Sequence, residues 1–265
     1  MTECCPVSGP LLEGIEIQYG LKNFMWRFFR WADRALEERG VRLFFASFED
    51  LVEVNRANPK TWRPLVPIFS PELSGVNRET GFVLLGRNSA DEVVATQAAR
   101  VFDWSESSLR VEAASLRLFY ADAKAALQRG DRCEINASVA HGISGRVVFS
   151  GGGWYRPDFR RKDLGTILPR VSRAYAFTRW NSDFTISIMA DAVVAGGFAE
   201  RAGYTNVECD AVSYVASPMG ALHGALVWMA SAQMLADLDA ISSEHDVHSA
   251  AIGLSEGEEN KGRNV

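Results

Sequence analysis

The stretch from Gly145 to Leu168, GRVVFSGGGWYRPDFRRKDLGTIL, constrains the fold more than any other part of the chain. Arg146 to Tyr155 is short and rich in β-branched and aromatic residues, which marks a strand. The glycines at 151 to 153 are out of place in a plain surface strand and predict a β-bulge or a close backbone approach. A helix opens in the second half, and Arg156, Arg160, Arg161 and Lys162 crowd the turn that leads into it. The first amides of a helix are unsatisfied and carry partial positive charge, so cations placed there make a site for phosphate or another anion. Gly165 and Thr166 stand where those amides point outward.

The wider composition says that the basic cluster is local. With net charge -5 and pI near 5.5, the chain is not a nucleic-acid binder driven by overall charge, so the cations at 156 to 162 are aimed at a small anion. At 265 residues, 47% hydrophobic and mean hydropathy -0.06, the chain suits one large globular domain or two small ones. No cationic start followed by an apolar core and no long uncharged apolar run is present, so neither a signal peptide nor a membrane span is expected, and a cytoplasmic location follows. Cys4, Cys5, Cys133 and Cys209 lack zinc spacing. No disulfide is assigned, His245 and His248 read as solvated, and no metal is expected.

In chain order, residues 1 to 17 form a Gly- and Pro-bearing lead that need not be ordered. Leu21 to Glu38 predicts a helix with Leu21, Met25, Phe28, Phe29, Ala32 and Leu36 on one side, and Val41 to Ala46 a buried strand. Ser47 predicts the cap of a second helix, with Asp50 at the acidic third position. Phe82 to Leu85 and Val93 to Phe102 read as a strand pair, followed by helical runs at 107 to 119 and 121 to 128. Beyond the central stretch come a helix at 166 to 179, a strand at 184 to 189, a helix at 192 to 202, strands at 207 to 215 and 223 to 229 around a turn at 217 to 220, and a last helix at 233 to 241. Residues 242 to 265 are polar and expected to be disordered.

The run Pro157, Asp158, Phe159, Arg160, Arg161, Lys162, Asp163, Leu164, Gly165 resembles the pyrophosphate-binding signature of the GNAT superfamily of acyl-CoA-dependent N-acyltransferases. That signature is Gln or Arg, two free positions, Gly or Ala, one free position, then Gly or Ala. Arg160 and Gly165 fit its ends, whereas Asp163 stands where glycine is usual and sets a carboxylate near a polyphosphate. The resemblance covers roughly Phe82 to Met229, less an insertion at about 103–144. It implies an α/β (α+β) fold: a mixed, mostly antiparallel central sheet flanked by helices, with splayed central strands, in a single domain over 18–241. It further implies acetyl-CoA or another acyl-CoA as co-substrate, held by Trp154, Tyr155, Arg156, Arg160, Arg161, Lys162, Asp163, Leu164, Gly165 and Thr166. The implied partner is a small-molecule or peptide amine acceptor, with no nucleic acid and no membrane, and a homodimer stays open.

Many members place a tyrosine near the sulfur as the acid. Counting back from Gly203, that position is Ala199 here, beside Phe198, so Tyr204 or Ser187 is left to substitute. The insertion offers Glu112, Tyr120, Glu134 and His141 as acceptor-side candidates, with Tyr204, Glu134 and His141 as catalytic ones, and Trp26, Trp31 and Trp62 are available to line a pocket. Two alternatives remain beside the enzyme: a non-catalytic acyl-CoA-binding module, favoured by Asp163 and Ala199, and a transferase with an aminoacyl-tRNA donor, disfavoured by the acidic balance.

Overall fold

The computed structural model describes residues 9–216 and 219–243. In chain order its elements are β1 (Gly9–Pro10), α1 (Leu11–Gly14), α2 (Lys22–Glu37), β2 (Arg42–Ala46), α3 (Phe48–Ala57), α4 (Pro71–Ser74), β3 (Gly81–Arg87), β4 (Val93–Trp104), α5 (Leu109–Ala114), α6 (Ala123–Arg129), β5 (Arg132–Ile135), β6 (Gly145–Tyr155), α7 (Leu164–Trp180), β7 (Phe184–Ala190), α8 (Asp191–Ala195), α9 (Phe198–Arg201), β8 (Asn206–Ala216), β9 (Gly220–Ala230) and α10 over 231–243. Among the described residues the strands make one nine-stranded sheet in the order β1-β2-β3-β4-β6-β7-β9-β8-β5. The mostly antiparallel sheet flanked by helices is the arrangement that the resemblance implies. No helix of the described residues is long and apolar enough to cross a membrane.

Each face of the sheet has its own core. On one side α2 buries Met25, Phe28, Phe29, Ala32 and Leu36, an i, i+3, i+4 stripe that meets Ile167, Leu168, Val171 and Ala174 of α7. On the other, α3 and the 103–144 segment bury Leu51, Leu109, Phe119 and Ile143 against β3, β6 and β8. The start of α3 is fixed as its sequence predicts: the Ser47 side chain accepts from the Asp50 amide and the Asp50 carboxylate accepts from the Ser47 amide.

The pair that opens a site is β6 and β7, the one parallel neighbour pair among the described residues. Their register runs only through Val147–Phe184, Val148–Thr185 and Phe149–Ile186. Beyond it, Ser150 to Tyr155 follows β4 and Ser187 to Ala190 follows β9, so the strands part. The β4–β6 register shifts between Thr96 and Ala98, which is the bulge expected of the three glycines. Gly152 there has φ +62, and a Cβ on Gly151 would lie 3.0 Å from Phe69 Cε2.

Several expectations change. Residues 9–17 of the expected loose lead are packed: Leu11, Ile15 and Ile17 are buried and Gly9–Pro10 pairs with Phe44 and Phe45, because apolar side chains at those positions reach the core. The run at 107 to 119 is helical only over Leu109–Ala114, ending before Leu116 at φ 63. Arg132–Ile135 forms an unforeseen strand on the edge beside β8. The helix expected over 192–202 is broken into α8 and α9 at Gly196–Gly197, where Gly197 takes φ +73. Residues 242 and 243 end α10; Ser217, Pro218, His245, His248 and the rest of the expected tail lie outside the described residues.

Candidate functional site

The turn from β6 into α7 is built from side-chain anchors and left-handed backbone. Phe159 is buried in a short 3-10 turn, and Arg161 and Asp163 adopt φ 70 and 57. Such values are uncommon outside glycine, and they break the regular hydrogen bonding of the segment. The backbone amides of Arg161, Asp163, Leu164 and Gly165 have no acceptor among the described residues. A cleft of about 500 Å³ lies here, lined by Tyr155, Phe159, Arg160, Arg161, Asp163, Leu164, Gly165, Thr166, Phe198 and Arg201. Gly165 is required by close approach, since a Cβ would stand 2.7 Å from Phe198 Cε2.

The cations divide. Arg156 is occupied away from the cleft, donating to Asp158 at 2.8 and 2.9 Å and to Glu92 at 2.9 Å. Lys162 rests its ammonium 3.9 Å from the Phe159 ring centre. Trp154 stacks on Trp62 at 5.7 Å and donates to Thr61 Oγ1. These three sequence candidates do not line the cleft, because neighbouring aromatic and acidic groups satisfy them elsewhere. Arg160 lines it while donating to the carbonyls of Tyr155 and Thr61. Arg161 is exposed there and has no hydrogen-bond or ion-pair partner among the described residues. Arg201 joins them from α9, held by its bond to Gly196 O at 2.8 Å. Nothing in the sequence near Arg201 marks it; chain closure brings α9 over the start of α7.

Asp163 does not cap α7 with its side chain. Its carboxylate accepts from Thr166 Oγ1 at 2.6 Å and lies 3.8 Å from Arg39 Nη2.

A second cavity, of about 360 Å³, occupies the gap between the parting ends of β6 and β7. It shares Tyr155 and Phe198 with the first cleft, so these two rings, 6.3 Å apart, form the wall between them. Its other walls include Trp62, Leu65, Phe149, Gly151 to Gly153, Ser187, Met189, Tyr204 and Tyr214. Gln97 and Ser150, hydrogen bonded to each other at 3.1 Å, add a buried polar edge. Neither Gln97 nor Tyr214 is marked by sequence, since each sits in a strand that reads as core.

Behind the wall lies buried charge. Arg170 donates to Asp237 through Nε and Nη2, both at 2.8 Å, and to the carbonyls of Thr166 and Arg201. Arg173, fully buried, lies 3.6 Å from the same carboxylate, bonds Ala202 O and stands 4.6 Å from the Tyr204 ring centre. Its Nε and Nη1 have no hydrogen-bond partner among the described residues, nor does the hydroxyl of Tyr155. Burial pushes the Tyr155 phenol up, against the pull of the Arg173 charge.

Of the proposed catalytic residues, Tyr204 lines the second cavity; Glu134 and His141 do not. Both are exposed, Glu134 on the edge strand and His141 in a 3-10 turn of the insertion. Glu112 is structural: burial works against its ionisation, but hydrogen bonds from Arg117 and Ser107 hold its carboxyl below the usual range. Tyr120 is reached only through Tyr214, hydroxyl to hydroxyl at 3.1 Å, while Phe119 stacks on the Tyr214 ring at 4.1 Å. The insertion therefore touches the cavity by bracing one of its walls. Trp62 lines it, but Trp26 and Trp31 pack on the core beside Phe29 and Phe28. No group of His, Cys, Asp and Glu among the described residues is arranged to hold a metal.

No protein-family model matches the chain, and no curated protein matches its sequence. Solved structures do. AAC(6')-Ib in complex with paromomycin and acetyl-CoA aligns at 12% identity over 73% of this chain and 95% of its own, with TM-score 0.41. Spermidine/spermine N-acetyltransferase SpeG from Vibrio cholerae aligns at 8% identity over 74% and 96%, TM-score 0.42. NAA60 from Arabidopsis thaliana with acetyl-CoA aligns at 11% over 70% and 96%, TM-score 0.39. The topology stands on this chain alone: hairpin, bulged strand, crossover helix, short parallel pair that parts, and closing hairpin. This is the mixed, mostly antiparallel arrangement with parting central strands that the sequence resemblance implies.

Proposed function

We propose that the chain is an acyl-CoA-dependent N-acyltransferase that transfers an acyl group, acetyl in the simplest case, to an amine by direct attack in a ternary complex. The observation that carries this is the adjacency of two cavities that share the Tyr155–Phe198 wall, one basic and rich in free amides, the other apolar and opened by the parting of β6 and β7. A diphosphate belongs with Arg160, Arg161, Arg201 and the free amides at the start of α7. The thioester then reaches the gap between the strands, where the amine meets it. The nitrogen lone pair forms the C–N bond, the C–S bond breaks, and one proton passes from nitrogen to the leaving sulfur or to water. Of the three catalytic candidates Tyr204 alone lines the second cavity, which supports it as the donor to that sulfur. In this reading the domain expected over 18–241 extends to the packed residues 9–243.

Ala199, buried where the resemblance implies a tyrosine, favours a second reading: a module that binds acyl-CoA without turnover. Calorimetric titration with CoA and acetyl-CoA tests the site common to both. Arg161→Glu, at an exposed residue with no partner to lose, is expected to weaken CoA binding by about 10- to 100-fold, as loss of one charge-assisted bond of about 1.5–3 kcal/mol requires, with an unchanged melting temperature. Equal affinity in both proteins overturns the donor site. Release of free thiol on addition of amines separates enzyme from module.

A further inference from the structure

We infer that the acceptor is a weakly basic aromatic amine, uncharged at neutral pH. The inference rests on the acyltransferase reading and deepens it from the chemistry of the second cavity. Amines are ordinarily bound and prepared by acid–base groups: a carboxylate holds the ammonium, and a base removes the proton before attack. Among the described residues, the titratable groups facing this cavity are instead Arg63 from the loop after α3, Tyr155 from β6, Tyr204 after α9 and Tyr214 from β8. None is a carboxylate or an imidazole, the groups that hold an ammonium or take its proton. Burial pushes Tyr155 and Tyr214 further up, which keeps them protonated. Arg63 and the buried Arg173 behind the wall add positive charge, which disfavours a cationic acceptor.

An alkylamine with a lysine-like pKa of about 10.4 is neutral in only about one molecule in a few thousand at pH 7. A site with no base leaves that fraction as it is in solution. An aromatic amine is neutral throughout, and its ring suits walls supplied by Trp62, Phe149, Phe198 and Tyr214. At about 360 Å³ the cavity is of ligand size and far exceeds what an acetyl group fills. The polar edge made by Gln97 and Ser150 offers one place to orient an amino group.

The test uses acetyl-CoA with p-anisidine, phenethylamine and spermidine, following free thiol from pH 6 to 9, alongside calorimetric titration with acetyl-CoA and a long-chain acyl-CoA. The expected result is that kcat/KM for p-anisidine exceeds that for phenethylamine by about 100-fold or more at pH 7, and that the ratio falls about tenfold per pH unit as phenethylamine loses its proton. Leu65→Trp, which places bulk in the cavity wall, is expected to lower the p-anisidine value by about tenfold or more while acetyl-CoA affinity holds. Preference for spermidine or phenethylamine at pH 7, with CoA bound, overturns the inference and keeps the acyltransferase reading. Tight binding of long-chain acyl-CoA with no acetylation of p-anisidine also overturns it, assigning the cavity to the acyl chain. Absence of CoA binding overturns both.

Discussion

Replacing Asp163 by glycine separates what this carboxylate does for the fold from what it does to a bound anion. The residue holds φ 57, a left-handed conformation that costs an L-residue about 1–2 kcal/mol and glycine nothing. Against that gain stand glycine's extra freedom in the unfolded chain, about 0.5–1 kcal/mol, and loss of the exposed Thr166 bond and the 3.8 Å Arg39 pair, together about 0.5–1 kcal/mol. The balance lies within about 1 kcal/mol of zero, a melting shift of no more than about 4 °C. The affinity effect has a definite sign. A unit charge about 6 Å from a phosphate interacts with it by about 0.7 kcal/mol at a dielectric constant near 80 and by about 2.8 kcal/mol near 20. Asp163→Gly is therefore expected to tighten CoA binding by about 3- to 100-fold at low salt, and less as salt screens the pair. Scanning calorimetry and CoA titration on both proteins give the two quantities. A melting temperature lower by about 8 °C or more with CoA affinity unchanged refutes the reasoning, because it makes Asp163 the anion that the helix start was built to hold.

Two further outcomes concern the buried groups. Asp237→Asn leaves Arg170 and Arg173 without their shared counter-charge and is expected to cost about 3–5 kcal/mol in urea unfolding, whereas Arg173→Met, which leaves the bidentate Arg170–Asp237 pair in place, stays within about 1 kcal/mol. Burial, with a smaller push from the Glu134 charge, raises the Cys133 thiol from 9.0 to about 12, so the folded chain holds this proton more tightly than the unfolded one. The stability it contributes is whole below pH 9.0 and is lost as pH rises from there to about 12, by up to about 1.4 kcal/mol per pH unit; Cys133→Ala is expected to remove that slope in unfolding curves at about pH 8 and about pH 10.5.

What the sequence made legible is what local rules write. The glycines at 151 to 153 forecast the bulge, Ser47 and Asp50 the capping box, and the Met25, Phe28, Phe29, Ala32, Leu36 spacing the buried face of α2, although Leu21, expected on that face, is exposed at the helix cap. That the residues from Arg160 to Thr166, Lys162 excepted, line one cleft was legible because the motif is contiguous. Which cations stay free was not, since that depends on contacts between distant segments: Glu92, 64 positions before Arg156, takes that guanidinium, and Arg201 arrives from another helix. Glu134 and His141 were drawn in by residue type alone. The pairing of Cys133 with Tyr214 fixes the strand that carries Glu134 to the outer edge of the sheet, and no local signal encodes that register.

The replacement of the expected tyrosine by Ala199 bears on the whole site through its neighbour. Ala199 is buried, and Phe198 beside it takes the position between Gly165 and Tyr155. A ring there can lie against the helix start only because residue 165 has no side chain, so the anion motif's last glycine and the aromatic wall are one device. The wall separates the two cavities, and its one phenol, Tyr155, is pushed up by burial and so gives up its proton reluctantly. A reaction at such a wall depends on the acceptor more than on the wall for its proton balance: the nitrogen must arrive with its lone pair free, and the proton it sheds must reach the sulfur directly, by way of Tyr204 or through water. A neutral aromatic amine meets the first demand without help, and the proton it gives up after attack meets the second. On the proposed reading, the loss of the tyrosine and the lack of a base facing the cavity are therefore compatible with turnover for one class of acceptor, and that class is set by acidity before it is set by shape.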